Sequence, residues 1–224
     1  MNGVETGLHS VWTGQKAVTT QPYKMRIFIG IDLDPDVRVR ISRFLEGVEH
    51  FAPGARWVRP ESLHITLKFI GEQSPEQVTA ITERLQKVEC GAFEIRVGGY
   101  GFFPTAKAPR VFWIGIHGGT QLGELAERVD TAVAEFGIPR EDRAFSPHLT
   151  LARAGGGSGS PKRQKGDGPS AIFVVLENRL GAMSELDFGT MTAHEFILYQ
   201  SQTSPGGSKY TKLQRFPPRA LERS

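Results

Sequence analysis

Cysteine is almost missing from this chain, with one residue, Cys90, in 224. A lone thiol can close no internal disulfide and cannot build a thiolate zinc cage, which excludes a disulfide-stapled secreted scaffold and points to a reducing cytoplasm. Long apolar runs are lacking as well. The longest bulky stretches, 27–31 and 172–176, fall far short of the roughly 18 to 20 residues of a membrane helix, so a soluble protein with no membrane partner is expected. Charge of one sign is scarce, because 27 Lys and Arg against 24 Asp and Glu leave only +3. That balance is a weak lean towards polyanions such as nucleic acid. There is no Gly-x-Ser-x-Gly elbow, and Gly155 to Ser160 lacks dinucleotide-loop spacing. Ser204-Pro-Gly-Gly-Ser-Lys209 is not a phosphate loop. No His/Asp/Glu cluster at ligand spacing accompanies the histidines, so no metal or cofactor is called for.

What is present is an alternation of short strands and amphipathic helices. Residues 1–24 mix Gly, Thr, Ser and Gln without periodicity and read as a flexible extension lacking the apolar centre of a secretory signal. Residues 26–33 and 63–70 are β-branched and aromatic and read as strands. Between them Asp34 and Pro35 suit an N-cap and first helical position, with Val37, Ile41, Leu45 and Val48 recurring at helical spacing. Ser74-Pro-Glu-Gln77 is a capping box that opens a second helix carrying Val78, Ile81, Leu85 and Val88. Residues 93–97, 110–116 and 148–152 read as strands. The helix preceding the last of these carries Leu122, Leu125, Val129, Val133 and Phe136 and ends at Gly137. The apolar runs 171–176 and 195–199 are expected to complete the sheets. Residues 155–169 are Gly-rich and basic with too little apolar content to pack, which predicts a mobile loop, and 218–224 form a basic tail. A solvated role and contact with RNA phosphates both fit these basic segments.

A shift of 84 residues superposes the chain on itself. Arg26-Ile-Phe falls on Arg110-Val-Phe, Arg59 on Arg143, and His64-Ile-Thr-Leu on His148-Leu-Thr-Leu. Two similar strand, helix, strand units make two related lobes with corresponding elements facing across a groove. In a strand, side chains two apart share a face, so His64 projects with Thr66 and His148 with Thr150, while Ile65, Leu67, Leu149 and Leu151 point to the core. Six histidines and 15 threonines predict roughly 0.4 His-x-Thr matches by composition. Two matches at the same place in a repeat carry far more weight.

Opposed imidazoles suit in-line displacement at phosphorus, where a base takes a proton from the attacking oxygen and an acid gives one to the leaving oxygen. The threonine hydroxyls can donate to the non-bridging oxygens, and Arg153 offers a planar bidentate donor, although an ordinary surface arginine also fits. By parity Lys68 would join the first pair.

These residues resemble a known family. Arg56-Trp-Val-Arg-Pro-Glu-Ser-Leu-His-Ile-Thr-Leu-Lys-Phe-Ile-Gly-Glu72, Pro109-Arg-Val-Phe-Trp-Ile-Gly115 and Arg143-Ala-Phe-Ser-Pro-His-Leu-Thr-Leu-Ala-Arg153 are similar to segments of the RNA 2′,3′-cyclic phosphodiesterases, or 2′-5′ RNA ligase-like proteins, of the two-histidine phosphoesterase superfamily. The likeness runs from about residue 25 to 217. It includes Phe102-Phe-Pro104 and the 201–210 segment. The resemblance implies a single bilobal α+β domain over 25–217, with antiparallel sheets, helices on the outer faces and both motifs in a central cleft. It further implies metal-independent opening of a 2′,3′-cyclic phosphate at an RNA end to a 2′-phosphate, with reversible 2′-5′ joining of RNA ends in some members. RNA ends are then the partner, and a monomer with no obligate protein partner is expected. Phe102, Phe103 and Tyr210 are candidates for stacking on terminal bases, with core packing the alternative for each. The repeats are too alike to say which histidine is acid and which base. A small cyclic nucleotide or an ADP-ribose cyclic phosphate as substrate, and a non-catalytic RNA-end or nucleotide-binding module, remain the alternatives.

Overall fold

Strand and helix follow the apolar patterning closely through the first half of the chain. A computed structural model describes residues 23–105, 109–155, 171–183, 185–204 and 207–217. Nearly all of the expected N-terminal extension and basic loop, and the whole tail, lie outside the described residues. The strands are β1 (Met25–Asp32), β2 (Ala55–Trp57), β3 (His64–Gln73), β4 (Phe93–Phe103), β5 (Val111–His117), β6 (His148–Ala154), β7 (Asp187–Ala193), β8 (Phe196–Ser204) and β9 (Gly207–Phe216). The helices are α1 (Pro35–Val48), α2 (Pro75–Leu85), α3 (Gly119–Ala134) and α4 (Val174–Gly181). One antiparallel sheet has the order β3-β1-β8-β9 and the other β2-β6-β5-β4-β7.

The caps form as the residue types require. The Asp34 side chain accepts from the Asp36 amide at 2.9 Å, and Ser74 and Gln77 exchange the reciprocal bonds of a capping box. Helix α1 buries Val37, Ile41, Leu45 and Val48, while α3 buries Leu122, Leu125, Val129 and Val133. Each of these helices reaches beyond the sheet that its preceding strand belongs to. On α1, Arg40 donates to the Phe188 carbonyl of β7 at 2.7 Å and Phe44 meets Phe188 edge-on at 5.3 Å. On α3, Asp130 pairs with Lys68 of β3 at 2.6 Å. One apolar cluster therefore contains residues of both sheets, among them Ile29, Ile65, Phe112 and Leu149.

Three sequence expectations need correction or extension. Residues 171–176 are not a strand: a 3-10 turn (Ala171–Phe173) leads into α4. The β-branched run is helical because Phe173, Leu176 and Leu180 supply the buried stripe while Val174 and Val175 stay 46% and 59% exposed. Strand β4 runs six residues past Val97, carried through Gly98, Gly99 and Gly101, and β2, β7 and β9 carry too few apolar alternations to stand out. Lys68 does not share the face of His64. Ile29 pairs with Lys68 and Gly30 with Thr66, so Leu67 is an extra residue and the alternation flips after it. Lys68 turns inward, its side chain 2% exposed, and donates to the Pro139 carbonyl at 2.7 Å while pairing with Asp130 and Glu141.

Burial alone would raise the Asp130 carboxyl, but the hydrogen bond and charge of Lys68, together with Arg140, hold it below the ordinary Asp value of 3.8. This stabilisation is present above the unfolded carboxyl value and is lost as pH falls through the lower folded one. Removing one partner strands a buried ammonium. Asp130→Ala is expected to cost about 3 kcal/mol in urea unfolding at pH 7. The paired Lys68→Met, Asp130→Leu change costs far less because no buried charge is left alone.

Candidate functional site

The two His-x-Thr segments begin β3 and β6, strands of different sheets. Inward-facing Ile65, Leu67, Leu149 and Leu151 are buried, which forces His64, Thr66, His148 and Thr150 onto the opposite, cleft-facing side. The two imidazoles are held in the same way. Nδ1 of His64 lies 2.8 Å from the Ser62 carbonyl, and Nδ1 of His148 lies 2.8 Å from the Ser146 carbonyl. A carbonyl accepts only, so Nδ1 carries the hydrogen in each neutral ring and Nε2 is left with a lone pair for the cleft.

The strand irregularity is duplicated too. Phe112 pairs with Ala152 and Trp113 with Thr150, so Leu151 is the extra residue of β6, 84 positions after Leu67. Strict alternation from His148 would point Arg153 away from the site; the bulge turns it back. Its guanidinium acts on both imidazoles and is itself held below its ordinary value, chiefly by burial and also by Arg56, its partner across β2 and β6, with Tyr210 acting upward. Tyr210 belongs to β9 of the other sheet, so the electrostatic surroundings of Arg153 include groups of both sheets.

The aromatic candidates separate. Phe102 is 8% exposed and packs on Phe112 and Phe173, at 5.2 and 5.8 Å, so it is a core residue and not a stacking face of the cleft. Phe103, one residue on and on the other face of β4, sits edge-on to His148 at 5.0 Å and stacks on Trp113 at 5.1 Å. Tyr210 sits edge-on to His64 at 4.9 Å. Several site neighbours escaped sequence reading. Phe28 and Tyr199 stack 4.9 Å apart beneath His64, and Trp113 lies beside His148. A Cβ at Gly101 would come 2.2 Å from the Trp113 ring, so glycine is required there. Phe69, 56% exposed and paired with Phe28, occupies the position after the bulge that Arg153 holds in the second repeat. The usable signal was strand parity corrected for a bulge, which only the pairing reveals. Among the described residues, no three His, Cys, Asp or Glu side chains group as metal ligands.

The His64 imidazole is pushed down to about 4, above all by burial, with Arg38 and Arg153 acting the same way and the Ser62 carbonyl and Asp32 acting upward. His148 is also lowered, first by burial and then by Arg153, against the Ser146 carbonyl. Both shifts favour the neutral imidazole at pH 7.

Antiparallel sheets with paired His-x-Thr strands across one cleft define a bilobal α+β phosphoesterase architecture. The model of the family described as "LigT like Phosphoesterase" matches residues 31–113 and 115–167, and the chain belongs to that family. It is 34% identical over 192 residues to the RNA 2′,3′-cyclic phosphodiesterase of Archaeoglobus fulgidus, covering 86% of this chain and 99% of that one. The protein of the same name from Methanothermobacter thermautotrophicus is 29% identical, over 86% and 98% of the two chains. E. coli LigT complexed with 3′-AMP superposes with a TM-score of 0.68 at 25% identity, over 88% of this chain and all of that one. No helix among the described residues is long and apolar enough to cross a membrane.

An NMR titration of the histidine Cε1–H signals should place the His64 midpoint near 4 and that of His148 below the ordinary 6.5. A folded value below the unfolded one means that the unfolded chain binds more protons. Stability should therefore fall as pH drops from about 6.5 towards 4, which thermal melts across that range would check.

Proposed function

We propose that this protein opens the 2′,3′-cyclic phosphate of an RNA end, leaving a 2′-phosphate and a 3′-hydroxyl, with His64 and His148 as the proton-transferring pair. The observation that carries this reading is the matched presentation of two imidazoles from two sheets, each fixed through Nδ1 to a serine carbonyl at 2.8 Å and both acted on by Arg153. The RNA 2′,3′-cyclic phosphodiesterases that match 86% of the chain support the substrate class.

Chemistry follows from the free Nε2 atoms. One imidazole takes a proton from water as its oxygen bonds to phosphorus. The bond from phosphorus to the ribose 3′ oxygen breaks, and Nε2–H of the other ring, as imidazolium, protonates that oxygen. One ring gains the proton that the other loses, so the pair exchanges states over a turnover. Burial lowers both rings, and an arriving phosphate anion raises the value of the ring it touches, which supplies the acid. Thr66, Thr150 and Arg153 donate to the non-bridging oxygens, whose charge must be held through the displacement. Phe103 and Tyr210 flank the two histidines and offer stacking faces to a terminal base. With an RNA 5′-hydroxyl in place of water, the same centre would join ends through a 2′-5′ bond. The buried Cys90 suits a monomer working in a reducing cytoplasm.

An end-product assay comparing cyclic-ended oligonucleotides with small cyclic nucleotides tests reaction and substrate together. Hydrolysis to the 2′-phosphate is expected to persist in excess chelator with a bell-shaped pH profile; loss on chelation, restored by added metal, would favour a metallohydrolase. His64→Ala and His148→Ala should each lower kcat by about 10²- to 10⁴-fold in a folded protein. Retention of activity in either would end the acid–base assignment. Arg153→Ala should lower kcat/KM, and unchanged kinetics would leave it an ordinary surface arginine.

A further inference from the structure

The two histidines share one local geometry, yet the turn that holds His64 has a support that the turn before His148 does not share. Arg38 lies in the second turn of α1, its side chain 20% exposed. One guanidinium nitrogen donates to the Pro60 carbonyl and, at 3.2 Å, to the Leu63 carbonyl. The other donates to Asp32 Oδ1 at 2.5 Å and to the Leu33 carbonyl at 3.4 Å. Those four acceptors bracket the short turn (Pro60–Ser62) on one side and the end of β1 on the other. The turn delivers the Ser62 carbonyl that accepts from His64, and Asp32 is the residue paired with His64 across β1 and β3. Lys212 of β9 holds the second oxygen of Asp32, so the guanidinium rests on a carboxylate that is itself anchored. The planar fork presents its donors in fixed directions, so one guanidinium ties the turn to the end of β1.

The second repeat cannot build this bracket. At the positions 84 residues on stand Leu122 and Ile116, apolar side chains with nothing to donate or accept. The turn before His148 begins the same Ser-x-His contact without a guanidinium from its own helix α3.

We propose that Arg38 is a positioning residue for His64: by clamping the Pro60–Ser62 turn to Asp32 it fixes the carbonyl that sets the His64 tautomer and aims Nε2 into the cleft. This rests on the proposed acid–base role of His64, where a displacement of the order of 1 Å costs up to about 100-fold in rate. Arg38 touches no reacting atom, so its loss should act on kcat rather than on KM.

The experiment uses the full-length, ¹⁵N-labelled chain and reads the ring nitrogens of both histidines by two-bond ¹H–¹⁵N correlation, beside steady-state hydrolysis of a cyclic-ended oligonucleotide. Wild type is expected to show both rings with hydrogen on Nδ1. In Arg38→Ala the His64 signals should move towards a mixture of tautomers while those of His148 stay in place, and kcat should fall by about 10- to 100-fold with KM little changed. Should Arg38→Ala fail to fold, Arg38→Lys keeps the charge but loses the fork, and the same changes should appear at reduced size. A folded Arg38 variant with wild-type kcat and an unmoved His64 spectrum would overturn the proposal. The spectrum needs no turnover. A chain inactive on cyclic phosphate whose His64 tautomer still depends on Arg38 would thus count against the proposed reaction and not against the clamp.

Discussion

A strand with one face sealed in a core has little freedom in what it shows on the other. Ile65, Leu67, Leu149 and Leu151 are buried, and that burial alone obliges His64, Thr66, His148 and Thr150 to look into the cleft. The site depends on this constraint and on the irregularity that follows each motif. The extra residue at Leu67 and at Leu151 reverses the alternation after each motif, which sends Lys68 and Ala152 inward and Phe69 and Arg153 outward. The bulge thus adds a third cleft-facing position to each strand. The two repeats fill that position differently, with a ring in one and a cation in the other.

The duplication is faithful in backbone and unequal in environment. His64 rests against Phe28, Tyr199 and Tyr210 and lies near the Asp32–Arg38 pair. His148 has Phe103 and Trp113 for neighbours. Burial lowers both imidazoles, and the deeper setting of His64 lowers it to about 4. Two copies of one motif have come to occupy distinct electrostatic settings, the condition under which two like groups can divide the work of acid and base.

Much of this was legible in the sequence. Helices α1 and α2 announced themselves through caps and apolar spacing and α3 through apolar spacing, and the histidines through an 84-residue self-similarity that needs no structure to detect. What escaped reading depends on pairing between distant segments. Lys68 seemed to belong with His64 because parity within one strand cannot register an extra residue opposite β1. Arg153 was named for its chemistry, whereas simple alternation would have discarded it. Phe102 and Phe103 are neighbours of equal composition, and only the side of β4 that each faces separates a core ring from one beside His148. Residues 171–176 looked extended because β-branched residues crowd there, and packing of Phe173, Leu176 and Leu180 overrode that preference.

The crossing of the helices has a mechanical consequence. Because α1 is tied to β7 and α3 to β3, each half of the molecule is gripped by a helix that follows a strand of the other half. Prising the halves apart would break the ion pair at Lys68 and unseat Phe44 from Phe188 at the same moment. The placement of one sheet against the other is therefore held by side chains on the two helices, at a distance in the chain from either histidine.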